Sequence, residues 1–416
     1  MASRLLARAT GRRVPPRVFL HIGAMKTGTT FLQDLLEANR EDLKKAGYLF
    51  PGEQFSDISH AVRDLLFSSD DAEVQEQTRG KWDRLVEEIA SFDGKAAIVS
   101  MEFLSFADAE GAARVLDSFA GHEIHVILTV RDAERAIPAQ WQTSMRNGAK
   151  VTLPKFVQGA RQVRQGKTGD GRGARIFQRT QGIPRMLETW TPLVGQKRLH
   201  VITVPPSGSD PALLWERFAK VVGVRPRAAG VLPSAANPSL GHPSSELLRR
   251  VNKELGDVLP VDYWIVIKSQ LARRVLGGRA GEERPVRLHR PGVVLAREWN
   301  GVVREAISQH DVRLVGSLDE LPVDPPDPDL PKQLYRPTED ELLAAAGTAY
   351  SGMTDFREEL ATQAGRPLPE RTPQPDWAAT EEPVAAAVAD VVALVRECME
   401  LRRAVAARTA AEDEVS

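Results

Sequence analysis

Lys26 is the one cation in a short stretch of groups suited to holding an anion: Gly23, Ala24, Met25, Lys26, Thr27, Gly28, Thr29 and Thr30. Gly23 and Gly28 allow a backbone to close round an oxyanion, the threonine hydroxyls add donors, and the lysine adds a movable positive charge. A helix that starts at the end of this stretch offers its unpaired N–H groups and positive dipole end to the same ligand, so the chemistry indicated is phosphate binding. An ordinary strand-to-helix turn with a threonine cap uses the same residue types. Gly23 and Gly28 also match the glycine spacing of the Walker loop, G-x-x-x-x-G-K-[ST], but Thr29 stands where its lysine belongs and the only lysine lies inside the loop.

Two further charges stand at the ends of apolar runs. Glu102 follows K-A-A-I-V-S at 95–100, and Arg131 follows I-H-V-I-L-T-V at 124–130. Ligands of open α/β sheets bind beyond the carboxyl ends of the strands, so both side chains are delivered to the phosphate loop if the strands are neighbours. Glu102 is then either a general base or a solvated helix-cap residue. Arg131 is either a planar, bidentate phosphate ligand or a structural ion-pair partner. The arginine in front of it argues against reading Asp132 as a Walker magnesium ligand.

The elements that must position these groups are legible as alternating strand and helix patterns. Val18–Ile22, 95–100, 124–130 and Leu199–Val204 read as buried parallel strands, with 312–315 at an edge. Phe31–Ala46 reads as one amphipathic helix ended by Gly47, with Leu32, Leu35, Leu36 and Leu43 inward, followed by a turn at Tyr48–Gly52. Helices follow over 59–67, which His60 opens, over 81–91 and 111–119, and over 212–221 with Trp215 and Phe218 in the core. His125 reads as a core or edge histidine. The arginine- and glycine-rich segment 158–182 reads as a mobile basic loop, either solvated or a lid over an anion.

The run H-I-G-A-M-K-T-G-T-T-F-L-Q resembles the 5′-phosphosulfate loop of the sulfotransferases that use 3′-phosphoadenosine 5′-phosphosulfate (PAPS), usually P-K-[ST]-G-T-[TS], with Met25 here replacing the proline. The resemblance implies that Gly23, Lys26, Thr27, Gly28, Thr29 and Thr30 bind the cofactor and that Lys26 reaches the oxygen bridging phosphate and sulfate. It implies a second fingerprint for the 3′-phosphate, an arginine at a strand end and a serine eight residues on. Arg131 fills the first place, but Ala139 stands at the second, with Arg135, Gln140 and Gln142 as supplements and Ser144 further along. Family members use a histidine or glutamate as base near the exit of the next strand, which makes Glu102 the first candidate and His60 its competitor. N-P-S-L-G at 237–241 is similar to bacterial members, and the resemblance spans roughly 17–320.

Composition sets limits on this reading. A net charge of −1 gives no overall field toward nucleic acid or a membrane surface, so anion binding must be local. Cys398 is the single cysteine, which excludes an intramolecular disulfide or a cysteine-based zinc site, and no metal is expected. No run approaches ~18 apolar residues, and the basic start lacks the apolar core of a signal peptide, which suggests a cytoplasmic protein. The expected architecture is α/β, a P-loop-like parallel sheet flanked by helices, with a C-terminal helical extension. Its linear divisions are a basic disordered arm at 1–16, the α/β domain at 17–320, a proline-rich linker with a short helix at 321–376, and an amphipathic helix at 377–416 that folds back or pairs with a partner through 377–410.

The function expected is transfer of a sulfuryl group from PAPS to a hydroxyl or amine of a small-molecule or glycan acceptor. An ATP-dependent phosphotransferase and a non-catalytic nucleotide-binding or assembly protein are the alternatives.

Overall fold

β1 (Arg17–Gly23) occupies the middle of a six-stranded, all-parallel sheet in the computed structural model. The structure describes residues 14–67, 72–167, 171–231, 239–368 and 370–415. β2 (Tyr48–Leu49), β3 (Ala96–Ser100), β4 (Ile124–Val130), β5 (Leu199–Thr203) and β6 (Arg313–Val315) complete the sheet in the order β2-β3-β1-β4-β5-β6. β1, β3, β4 and β5 are apolar and buried almost throughout because helices cover both faces of the sheet. This is the α/β, parallel-sheet architecture expected. Its order places the exits of β3 and β4 on opposite sides of the exit of β1, with His21 in register with Ser100.

Three local expectations are corrected. Tyr48–Leu49 pairs with β3 as an edge strand, too short for a period to show. The helix expected over 31–46 is two helices, α1 (Thr29–Ala38) and Arg40–Lys45, broken where Asn39 leaves helical geometry at ψ 18 and turns its amide to the carbonyls of Leu35 and Val231. His60 lies within α2 (Phe55–Leu66), before α3 (Ala133–Arg146).

The supposed basic loop is largely helical, formed by Leu153–Arg164 and α4 (Arg172–Gln181), with 168–170 outside the described residues. In α4 the buried Gly173, Ala174, Phe177, Thr180 and Gln181 form one stripe at helical spacing, which outweighs the glycine content. α5 (Ile183–Val194) follows directly.

The chain gathers into two compact units, each built from three segments. The first holds the entire sheet and comprises Met1–Ile137, Ala160–Ala236 and Gly292–Asp327. The expected arm falls mostly outside the described residues, as do Asn237 and Pro238 of the N-P-S-L-G segment.

The second unit comprises Pro138–Gly159, Asn237–Pro291 and Pro328–Ser416. It contains α6 (His242–Leu255), α7 (Glu339–Gln363) and α8 (Pro383–Val415). α7 is a 25-residue helix, longer than the short one expected, and starts at a capping box of Thr338 with Glu341. α8 folds back along α7 and buries Val388, Val391, Val395 and Cys398. Arg357–Glu397 at 2.9 Å joins the two helices, and the fully buried Asp262, of Pro260–Asp262, pairs with Arg402 and Arg403 of α8 at 2.6 Å each. Among the described residues no helix is long and apolar enough to cross a membrane.

Candidate active site

The loop that leaves β1 holds three left-handed residues, Gly23 at φ 91°, Lys26 at φ 62° and Gly28 at φ 82°. Glycine reaches this region freely, whereas a lysine there costs about 1–2 kcal/mol, so the surrounding fold constrains Lys26 into a conformation its side chain opposes. Gly28 is the N-cap of α1 and gives the helix no side-chain cap, which leaves the first-turn N–H groups uncapped by it. Lys26 is half-buried, Thr29 is buried and Thr30 is exposed.

Thr27 turns its hydroxyl inward. It donates to the Ala24 carbonyl and shares a hydrogen bond of 2.6 Å with Thr129, whose hydroxyl also meets His21 Nε2 at 3.2 Å. His21 Nδ1 meets Ser100 Oγ at 2.8 Å. These residues form a buried polar chain across β3, β1 and β4 directly beneath the loop. Burial pushes the His21 imidazole down to about 3, so it is neutral and joins the chain as a hydrogen-bonding spacer rather than a charge. The Thr27 hydroxyl proton is thus used beneath the loop.

Two polar contacts from outside hold the loop's carbonyls. Gln181 at the end of α4 donates to the Met25 carbonyl at 2.6 Å, and Arg131 Nη1 donates to the Lys26 carbonyl at 3.2 Å. Both contacts tie the loop to neighbouring elements, as does the Ala24 N–H, which donates to the Thr129 carbonyl at 2.9 Å.

Glu102 opens a short 3-10 turn, Glu102–Phe106, at the exit of β3. A Cβ built on Gly23 would lie only 3.0 Å from Glu102 Cβ, so the glutamate backs directly onto the loop. Gln33 on α1 donates to Glu102 Oε2 at 2.9 Å and fixes the carboxylate to the helix that starts at the loop.

Arg131, on the other side, has no ion-pair partner among the described residues, and its Nε is buried without a hydrogen-bond acceptor. Burial first, and then the neighbouring Arg135, lower its guanidinium to about 10, which leaves it charged at neutral pH. The neighbouring Asp132 charge acts in the opposite direction; Asp132 itself accepts from Asn300 at 2.8 Å and from the Glu134 N–H at 3.1 Å, capping α3. Among the described residues Arg131 makes no ion pair, although the charge of Asp132 acts on it.

The loop, Glu102 and Arg131 come together in the first unit. His60 is half-buried among Asp57, Arg63 and Lys81, and no hydrogen bond joins it to the loop, Glu102 or Arg131 among the described residues. Burial, then Arg63 and Lys81, lower its pKa. Arg135 donates to the Pro205 carbonyl at 3.2 Å. Ala139, Gln140, Gln142 and Ser144 belong to the second unit. There Gln142 donates to the Leu240 carbonyl, while Ser144 donates to the Gln140 carbonyl at 2.8 Å.

Sequence reasoning did not find His21, Ser100 and Thr129 beneath the loop, or Gln33 and Gln181 beside it. A signal existed for the first three: each is the polar residue near the carboxyl end of an apolar strand. Comparison with known protein families, curated proteins and solved structures gave no match.

Proposed function

We propose that this chain is a sulfotransferase that moves a sulfuryl group from PAPS to a hydroxyl or amine. The observation that supports the reading is the close approach of Glu102, at the exit of β3, to Gly23 of the glycine-containing loop at the neighbouring exit of β1. The residues present fit the co-substrate: a left-handed cradle at Gly23, Lys26 and Gly28, an uncapped helix start, and Arg131 with an orphaned buried Nε.

Each residue then has a distinct task. The loop amides and Thr30 seat the 5′-phosphate, and Arg131 takes the 3′-phosphate by charge-assisted hydrogen bonds. Lys26 stabilises the charge that grows on the oxygen between phosphorus and sulfur, on the scale of about 10²–10³ in rate for one well-placed donor. Glu102 accepts the proton of the attacking hydroxyl or amine, held in place by Gln33. When bound, PAPS supplies the SO₃ group: a bond forms from acceptor oxygen or nitrogen to sulfur, the bridging S–O bond breaks, and 3′-phosphoadenosine 5′-phosphate (PAP) leaves with the electron pair.

The test is thermal stability with PAP in metal-free buffer. A ligand at 100 times its Kd adds about 2.7 kcal/mol, a readily measured shift. Stabilisation by ATP with Mg²⁺ and none by PAP would replace this reading with a phosphotransferase.

A further inference from the structure

Beyond Glu102 the same 3-10 turn carries Phe103 and Phe106, whose rings stack at 5.6 Å between centroids and meet Phe67 edge-on at 6.3 and 6.4 Å. Three arginines from three helices converge on this half-exposed aromatic group. Arg63 of α2 lies over Phe103 at 5.1 Å, and Arg179 of α4 lies over Phe106 at 4.3 Å and Phe67 at 5.4 Å. Arg185 of α5 donates to the Ala107 carbonyl at 3.2 Å and also to the Ser105 carbonyl. None of the three is ion-paired among the described residues, although Arg185 feels Glu188 and Asp108 more distantly. Burial lowers the pKa of each. Guanidinium groups that rest their faces on aromatic rings keep their N–H edges for other partners, and partly stripped of water they favour an anion.

The position of the cluster separates it from the nucleotide. Arg131 stands at the exit of β4 and the three arginines at the exit of β3, with the loop of β1 between them. The loop amides, Lys26 and Arg131 already answer the phosphates. We propose that Arg63, Arg179 and Arg185 form an acceptor subsite that binds a carboxylate, sulfate or phosphate group, so that the molecule receiving the sulfuryl group is itself an anion. The aromatic floor takes an apolar or ring portion of that acceptor, and its nucleophile faces Glu102. This assignment rests on the sulfotransferase reading.

The experiment titrates the full chain with pyranine, a fluorescent trisulfonated hydroxypyrene, by anisotropy, with and without saturating PAP. Saturable binding is expected, unchanged by PAP and weakened about ten-fold or more in Arg63→Gln/Arg179→Gln, the scale of a lost charge-assisted hydrogen bond. Arg179→Gln alone, at an exposed helix position, moves the same way, and Arg227→Gln serves as an unaffected control. Displacement of pyranine by PAP, equal binding by the double variant, or no saturable binding overturns the subsite. The PAP thermal shift of the unmodified protein is read separately. If it is absent while pyranine binds at the arginines, the sulfotransferase reading fails and the acceptor role falls with it, leaving an anion site of another kind.

Discussion

Arg131 and Lys26 carry the same charge but meet different stages of the proposed reaction. A guanidinium that holds a ground-state phosphate contributes to binding, whereas an ammonium that meets charge only as the S–O bond breaks contributes to turnover. Arg131→Ala is therefore expected to weaken PAP affinity more than it lowers kcat. Lys26→Ala should lower kcat by about 10²–10³ while leaving most of the PAP affinity, as read by calorimetry and steady-state transfer from labelled PAPS. Glu102→Gln keeps the shape of the side chain and removes its basicity. Transfer should fall by about 10² or more with PAP binding intact, and His60→Asn should cost much less. The opposite ranking would move the proton acceptor to α2.

At the scale of elements, the strand β1, its loop and the turn after β3 behave as one fitted piece. Gly23 combines a left-handed φ with a Cβ position 3.0 Å from Glu102 Cβ and 3.4 Å from its Cα, so an added methyl meets both backbone strain and Glu102. Gly23→Ala is expected to destabilise the fold by about 1–2 kcal/mol from the φ alone, and to reduce transfer beyond what that loss explains because Glu102 is displaced. Denaturant unfolding and kcat measured on the same sample separate the two effects.

These elements were the most legible in the sequence. β3, β4 and β5 are runs of apolar residues bounded by polar ones, and the observed strands differ from the expected ones by at most a residue at an end. The loop's residue types were readable too, because glycine, threonine and lysine each have a local reason to be there. What the sequence concealed depended on distant partners. The left-handed φ of Lys26 occurs in a loop whose carbonyls are held by Arg131 and Gln181 from distant parts of the chain, and α4 is held by a stripe whose partner surface lies elsewhere in the chain. The convergence of Arg63, Arg179 and Arg185 on one turn is likewise a product of tertiary packing.

For the whole molecule, buried neutral histidines contribute to the response to acid. His21 is held down to about 3, and His200 to about 4 by burial, then by His125 and Arg313. Both folded values lie below the unfolded value of about 6.5, so the unfolded chain binds more protons in this range. Their contribution to stability is present in full above about pH 6.5 and is lost as pH falls towards the folded values, at about 1.4 kcal/mol per pH unit for each group. Denaturant melts between pH 7 and 4.5 should show this decline, and His200→Gln should make it shallower. A variant whose slope matches the parent would show that other groups dominate.

The interleaving of the two units has a consequence during synthesis. β5 ends at Thr203 and β6, its outer neighbour, begins at Arg313, so about 110 residues, including α6 of the other unit, are translated between them. At about 5–20 residues per second the nascent sheet waits about 5–20 s with the flank of β5 uncovered. During that interval its unpaired N–H and C=O groups are open to strands of other chains, and a ribosome pause before Arg313 lengthens the exposure. The order of β5, α6 and β6 along the chain thus gives the outer edge of the sheet a history that the stability of the finished fold does not report.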